Sequence, residues 1–171
     1  IAAAAPATFT TTRREIMDTC QSQDSEQIWP GCAVYGFDHF EPLVIFAPKP
    51  VLLLTVSSDF FPIEGAYEVY DSLKKIYGLY GKEENLCLFE DNACHGYGMP
   101  LADSAAAFFC RVFGVEQRKE LHREPLPVDD LRATKTGNVK GDFPDARTGR
   151  RMQKKQSRYF SQRMAVGKGK L

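Results

Sequence analysis

The sequence predicts an α/β fold, a parallel sheet with helices laid against it, and three observations carry that prediction. Residues 51–56 read VLLLTV, a continuous apolar run bounded by prolines before and Ser-Ser-Asp after, as a parallel strand covered on both faces requires. Residues 85–89 read NLCLF, a second short apolar strand. Each run is followed by a helical pattern, so the order is strand, helix, strand, helix, which puts the strands side by side with the helices as crossovers.

The elements follow in chain order. Residues 1–5 are short, apolar and closed by Pro6, which suits the end of a buried strand. Residues 12–29 mix polar groups with Ile16, Met17 and Ile28 and are expected to form one or two short helices. Pro30, Gly31, Pro42, Pro48 and Pro50 then interrupt the backbone, leaving room for only a short packed turn over residues 43–46. After the strand at 51–56, Pro62 opens a helix on which Ala66, Val69, Tyr70, Leu73, Ile76, Tyr77 and Tyr80 recur at intervals of three and four. Gly81 ends it. A loop, EDNACHGYGMP, is expected between the second strand and a last apolar helix over 101–113 that stops at Gly114.

Charge divides the chain where hydropathy does. The formal net charge is zero, yet residues 1–115 hold 7 Lys and Arg against 15 Asp and Glu, and residues 116–171 hold 15 against 7. We expect a folded domain over 1–115 and an irregular basic tail, or a linker to a further domain, over 116–171. Within the tail, residues 131–143 suit a short hairpin and residues 150–165 a basic helix bearing Met152, Tyr159, Phe160 and Met164. The runs RRMQKK and KGK suit a solvated face, and no nucleic-acid motif accompanies them, so a nucleic-acid partner is not expected. Five cysteines lie scattered without C-x-x-C spacing, which indicates free thiols rather than a zinc site or disulfide framework. No apolar run approaches the roughly 18 residues of a membrane span. The chain opens on Ile1, and we expect it to begin inside a longer polypeptide.

In a doubly wound sheet, reactive groups collect beyond the C-terminal ends of the strands. Asp59 lies three residues past VLLLTV and His95 six past NLCLF. On neighbouring strands both side chains would emerge at one end of the sheet, where a carboxylate can accept the imidazole N–H, fix its tautomer and stabilise the imidazolium. Gly96 and Gly98 would let the loop turn the ring inward. Each residue also has an ordinary reading, since an Asp after a strand is commonly a turn former or helix cap and a His in a glycine-rich loop is commonly incidental. Glu90 and Asp91 are alternative acids, His39 beside Asp38 suits packing or loop tethering, and His122 suits solvated surface. Three histidines so far apart give no spacing evidence for a metal, and no cofactor motif occurs.

The segment FAPKPVLLLTVSSDFFPIEGAYEVYDSLKKIYGLYGKEENLCLFEDNACHGYG resembles the C-terminal part of acetyl xylan esterase-like and dienelactone hydrolase-like members of the α/β-hydrolase superfamily. In those enzymes a strand introduced by A-P-[RK]-P runs into D-F-F and a G-[TA]-x-E-x-Y-like helix, and H-G-Y follows the next strand. IAAAAPATFTTTRREIM and GFDHFEPLVIFAPKP are similar to the stretches that precede it, so the resemblance covers about residues 1–114. It implies an incomplete α/β-hydrolase fold, with Asp59 as the acid and His95 as the base of a Ser-Asp-His triad. It also implies a short ester, such as an acetylated carbohydrate, as substrate.

No G-x-S-x-G elbow occurs in the 171 residues, and Ser57, Ser58 and Cys94 are poorly placed to replace it. The expectation is therefore a fragment of a carboxylic-ester hydrolase, inactive alone. A serine peptidase of prolyl-oligopeptidase type shares the triad order and stays open, as does a non-catalytic binding module with a basic tail.

Overall fold

The computed structural model describes residues 1–21, 23, 27–117, 125–149, 151–154 and 157–158. The chain divides into two compact units, Ile1–Lys119 and Glu120–Leu171.

The first unit is built on two parallel strands, β1 (Val51–Ser58) and β2 (Leu86–Cys94). Helices α1 (Arg13–Asp18) and α2 (Phe40–Phe46) precede β1, α3 (Ile63–Leu79) joins the strands, and α4 (Met99–Phe113) follows β2. Side chains alternate across β1, and the two sets bury against different helices. Leu52, Leu54 and Val56 pack with Leu101, Ala105 and Phe108 of α4. Val51 and Leu53 pack with Val69, Leu73 and Tyr77 of α3. All six residues from Val51 to Val56 are buried, as the uninterrupted apolar run predicts.

On its other side β1 meets the opening segment. Ala4 N–H donates to the Pro50 carbonyl at 3.1 Å, and the carbonyls of Ala4 and Pro6 accept from Leu52 and Leu54 at 3.0 and 2.9 Å. In this parallel ladder residue 6 is due to donate as well. Proline has no N–H, so the pairing is reduced to isolated bridges at Ala4 and Ala7. Ala3, Ala5 and Ala7 join the α4 side of the core.

Three expectations need correction. The second strand does not end at Phe89: it continues through Glu90 and Asp91 to Cys94, so much of the expected loop is ladder. Its polar residues are satisfied across the sheet face, with Tyr67 Oη donating to Glu90 Oε2 and Ser57 Oγ lying 3.2 Å from the Asp91 carbonyl and 3.1 Å from Asn92 Oδ1. The turn expected at 43–46 is a helix of seven residues, because Pro42 falls in its first turn, where no intrahelical N–H is required. The hairpin expected at 131–143 is absent among the described residues of the second unit. Its chain forms a 3-10 turn at Val128–Leu131 and a short helix, α5 (Val139–Asp142), there. Asn138 caps α5 by accepting from the N–H groups of Lys140 and Gly141 at 2.9 and 3.2 Å, and the N–H and hydroxyl of Thr136 each lie 2.8 Å from Asp142 Oδ2. None of that unit's described residues is buried. Residues 151–154 and 157–158 are helical, while the rest of the expected basic helix, Tyr159, Phe160 and Met164 included, lies outside the described residues, as does His122.

Helix α4 stops as expected. Gly114 takes the left-handed conformation at φ 64°, and Val115 N–H donates back to the Cys110 carbonyl at 2.9 Å.

One glycine is required by close approach. A Cβ on Gly65, in the first turn of α3, would stand 2.1 Å from Thr11 Oγ1 and 2.7 Å from the Thr12 amide nitrogen. Gly→Ala in an exposed helix normally stabilises by about 1 kcal/mol. Here the sign reverses, and Gly65→Ala is expected to destabilise the fold by about 1–3 kcal/mol, read as the shift in urea midpoint. A variant as stable as the parent would show that α3 and the 11–12 segment do not pack this closely.

Candidate functional site

The register between β1 and β2 changes just before the sheet ends. Val56 pairs with Asp91, but Ser58 pairs with Cys94, so Asn92 and Ala93 together stand opposite Ser57. This is a β-bulge, one extra residue on the β2 side. Its effect on the next step is specific. Continuing the shifted register sets His95 opposite Asp59, whereas an unbroken register would set Cys94 there and turn His95 to the other face.

His95 Nδ1 lies 2.9 Å from both carboxylate oxygens of Asp59. The Asp59 side chain is 1% exposed and that of His95 45%, so the acid is sealed beneath an imidazole that remains open to solvent. No hydrogen bond to His95 Nε2 exists among the described residues. A carboxylate on Nδ1 selects the tautomer with the proton there and leaves Nε2 as a lone-pair base at the open edge.

Asp59 does two things at once. Its Oδ1 also accepts the Phe61 N–H at 3.0 Å, closing a turn two residues on. The turn-forming reading and the imidazole-binding reading are thus both realised in one side chain. It is not the helix cap, since Pro62 occupies that position without a side-chain bond. The turn aims two rings at the histidine, with Phe60 and Phe61 centroids 4.5 and 5.9 Å from that of His95.

Sequence reasoning missed Thr8. Its hydroxyl is 3.2 Å from His95 Nδ1, and the residue is buried at the exit of the opening segment. The D-F-F string was visible as a motif, but nothing in it announced that the two phenyl rings, 4.4 Å apart, pack together beside the imidazole. Of the other candidates, Glu90 and Asp91 sit in β2 and neither bonds His95. Gly98 has an ordinary extended conformation, φ −76° and ψ 175°, so the chain does not need glycine's freedom there. Cys94 is an exposed free thiol, as are the other four cysteines free. No cluster of three or more metal-ligating side chains occurs among the described residues.

His39 is placed elsewhere, in a buried tether. Its Nδ1 accepts the Thr11 N–H at 3.4 Å, and its ring meets Phe9 edge-on at 5.6 Å. Asp38 bonds backbone rather than the imidazole. Its carboxylate accepts the Arg13 N–H at 3.0–3.1 Å and the His39 N–H at 2.6 Å.

No protein-family model matches the chain, and neither does any curated protein. Two solved structures are similar. One is Methylesterase BT1017, at 24% identity and TM-score 0.46 over 57% of this chain and 21% of that one. The other is a carbohydrate esterase family 15 (CE15) glucuronoyl esterase from Caldicellulosiruptor kristjansonii, at 20% identity and TM-score 0.43 over 57% of this chain and 26% of that one. The fold is a partial α/β fold. The chain spans roughly a fifth and a quarter of the lengths of those two proteins.

Burial pushes the His39 imidazole below its ordinary 6.5, helped by the Arg13 cation and opposed by the Asp38 carboxylate and by backbone groups of Thr11 and Phe9. A lowered folded-state value means that the unfolded chain takes up the proton first as pH falls. Stability is then undiminished above about pH 6.5 and declines below it. We expect the Tm of the parent to drop more steeply between neutral and mildly acid pH than that of His39→Gln, in melts across that range. Parallel profiles would contradict a buried neutral His39.

Proposed function

We propose that the chain carries the acid and the base of a serine-type carboxylic-ester hydrolase. Asp59 is the acid and His95 the base, and the nucleophilic serine belongs to sequence outside these 171 residues. The observation that carries this reading is the sealed Asp59 carboxylate on His95 Nδ1 beneath an open Nε2. It is supported by the A-P-K-P, D-F-F and H-G-Y contexts in which the two residues stand.

In the proposed reaction His95 Nε2 takes the serine hydroxyl proton as the oxygen attacks the acyl carbonyl. The imidazolium then gives that proton to the departing alcohol, leaving an acyl-enzyme. Water repeats the sequence, with His95 as base again, and releases the acid. Asp59 stays ionised throughout, holding the ring and balancing its charge. The substrate class is a short acyl ester, an acetylated carbohydrate being the leading case. Residues 1–115 form the C-terminal half of the hydrolase domain in this reading, and residues 116–171 a basic tail or linker.

Two measurements test it. The chain alone is expected to hydrolyse p-nitrophenyl acetate no faster than buffer, because neither nucleophile nor oxyanion donors are in place. Turnover abolished by His95→Ala would overturn the absent nucleophile. In a polypeptide that also supplies the serine, Asp59→Asn and His95→Ala should each lower kcat by about 10³–10⁵-fold. Activity retained in both would overturn the triad.

A further inference from the structure

Three segments of the chain meet at one nitrogen. His95 Nδ1, just past β2, lies 2.9 Å from both oxygens of Asp59, which follows β1, and 3.2 Å from the hydroxyl of Thr8, at the exit of the opening segment. The carboxylate belongs to the acid–base pair. The hydroxyl has no part in it so far.

Thr8 is 6% exposed, and its contact with His95 is the one hydrogen bond of its side chain among the described residues. A buried hydroxyl has given up water, so an apolar residue of the same shape would cost less here unless the hydroxyl has a partner to bind. That partner is His95. Thr8 also approaches from a fixed point, since Ala7 bridges Leu54 of β1 and the Pro6 carbonyl accepts the Leu54 N–H at 2.9 Å.

The direction of the bond follows from Asp59. An ionised carboxylate against Nδ1 requires the ring's proton there, so Thr8 Oγ1 faces an N–H and accepts from it. The carboxylate, charged and closer, takes the larger share of that proton. What the hydroxyl adds is geometry. A carboxylate alone fixes the position of Nδ1 but lets the ring pivot about it, which would carry Nε2 sideways. The Phe60 and Phe61 rings are tilted by 45° and 41° to the imidazole, so neither lies flat against it to hold its plane. A second acceptor on a separate segment opposes the pivot.

We propose that Thr8 is a positioning residue for His95, its hydroxyl accepting from Nδ1–H alongside Asp59 and so fixing the direction in which Nε2 points. The use made of Nε2 rests on the hydrolase reading, whereas the contact can be measured without it.

Proton and nitrogen NMR of the full chain follows exchange of the His95 Nδ1 proton with water in the parent, Thr8→Val and Thr8→Ser. Valine keeps the branched shape and removes the hydroxyl, while serine keeps the hydroxyl and removes the methyl. The proton is expected to exchange about two- to tenfold faster in Thr8→Val, as the loss of one hydrogen bond implies, and at the parent rate in Thr8→Ser. A Thr8 that only fills space gives the reverse order. Circular-dichroism melts establish that each variant is folded, and if Thr8→Val is not, Thr8→Ala set against Thr8→Ser makes the same comparison. In a polypeptide that also supplies the serine, Thr8→Val should lower kcat by a similar factor with KM unchanged. Parental exchange in the variant without the hydroxyl, or the reverse order, would overturn the role of Thr8. The triad itself fails on a different result, activity retained in Asp59→Asn and His95→Ala.

Discussion

Everything at the end of the sheet depends on how β1 and β2 pair. Parallel strands hold neighbouring side chains in step, so a reactive pair on adjacent strands is decided by register before it is decided by side-chain type. The extra residue at Asn92–Ala93 moves β2 forward by one position, and the ladder then delivers His95 to the level of Asp59. Ser57, opposite the bulge, places its hydroxyl against the Asp91 carbonyl and the Asn92 side chain, so polar groups displaced from regular pairing still find partners.

Burial from both sides makes that register firm. With Leu52, Leu54 and Val56 committed to α4 and Val51 and Leu53 to α3, a slip of one residue would exchange the two faces of β1 completely. The same rigidity reaches the acid. Asp59 leaves the end of β1 into a turn closed by its own bond to Phe61 N–H, and α3 begins directly afterwards against Thr11, whose hydroxyl donates to the Pro62 carbonyl at 2.8 Å. The carboxylate is therefore positioned by backbone on either side, while the imidazole it holds is left accessible. That asymmetry, a fixed buried carboxylate beneath an open imidazole, is what the proposed acid and base require.

Much of this was legible in the sequence where a residue's role follows from its neighbours in the chain. VLLLTV reads as a doubly covered strand because burial on both faces demands apolar residues at every position. The long helices read from their spacing, and Gly81 and Gly114 read as their ends. Legibility failed where partners are remote or local signals mislead. Glu90, Asp91 and Asn92 have loop composition, and the backbone ladder with β1, supported by side-chain bonds from Tyr67 of α3 and from Ser57, carries them into the strand. Pro42 looked like a break and is the first turn of a helix, while the hairpin anticipated at 131–143 lost to capping by Asn138. Asp59 and His95 were visible as an acid and a base after successive strands. The bulge that aligns them, and Thr8 lying 87 positions from the histidine it touches, leave no pattern to read.

The central claim is that Asp59 holds the proton of His95 on Nδ1 and leaves Nε2 free as the base. Histidine ring nitrogen and proton NMR of the chain tests it most directly. The account predicts a low-field, exchange-protected proton on His95 Nδ1 that disappears in Asp59→Ala. A proton found on Nε2, or a Nδ1 signal unchanged in Asp59→Ala, would contradict it.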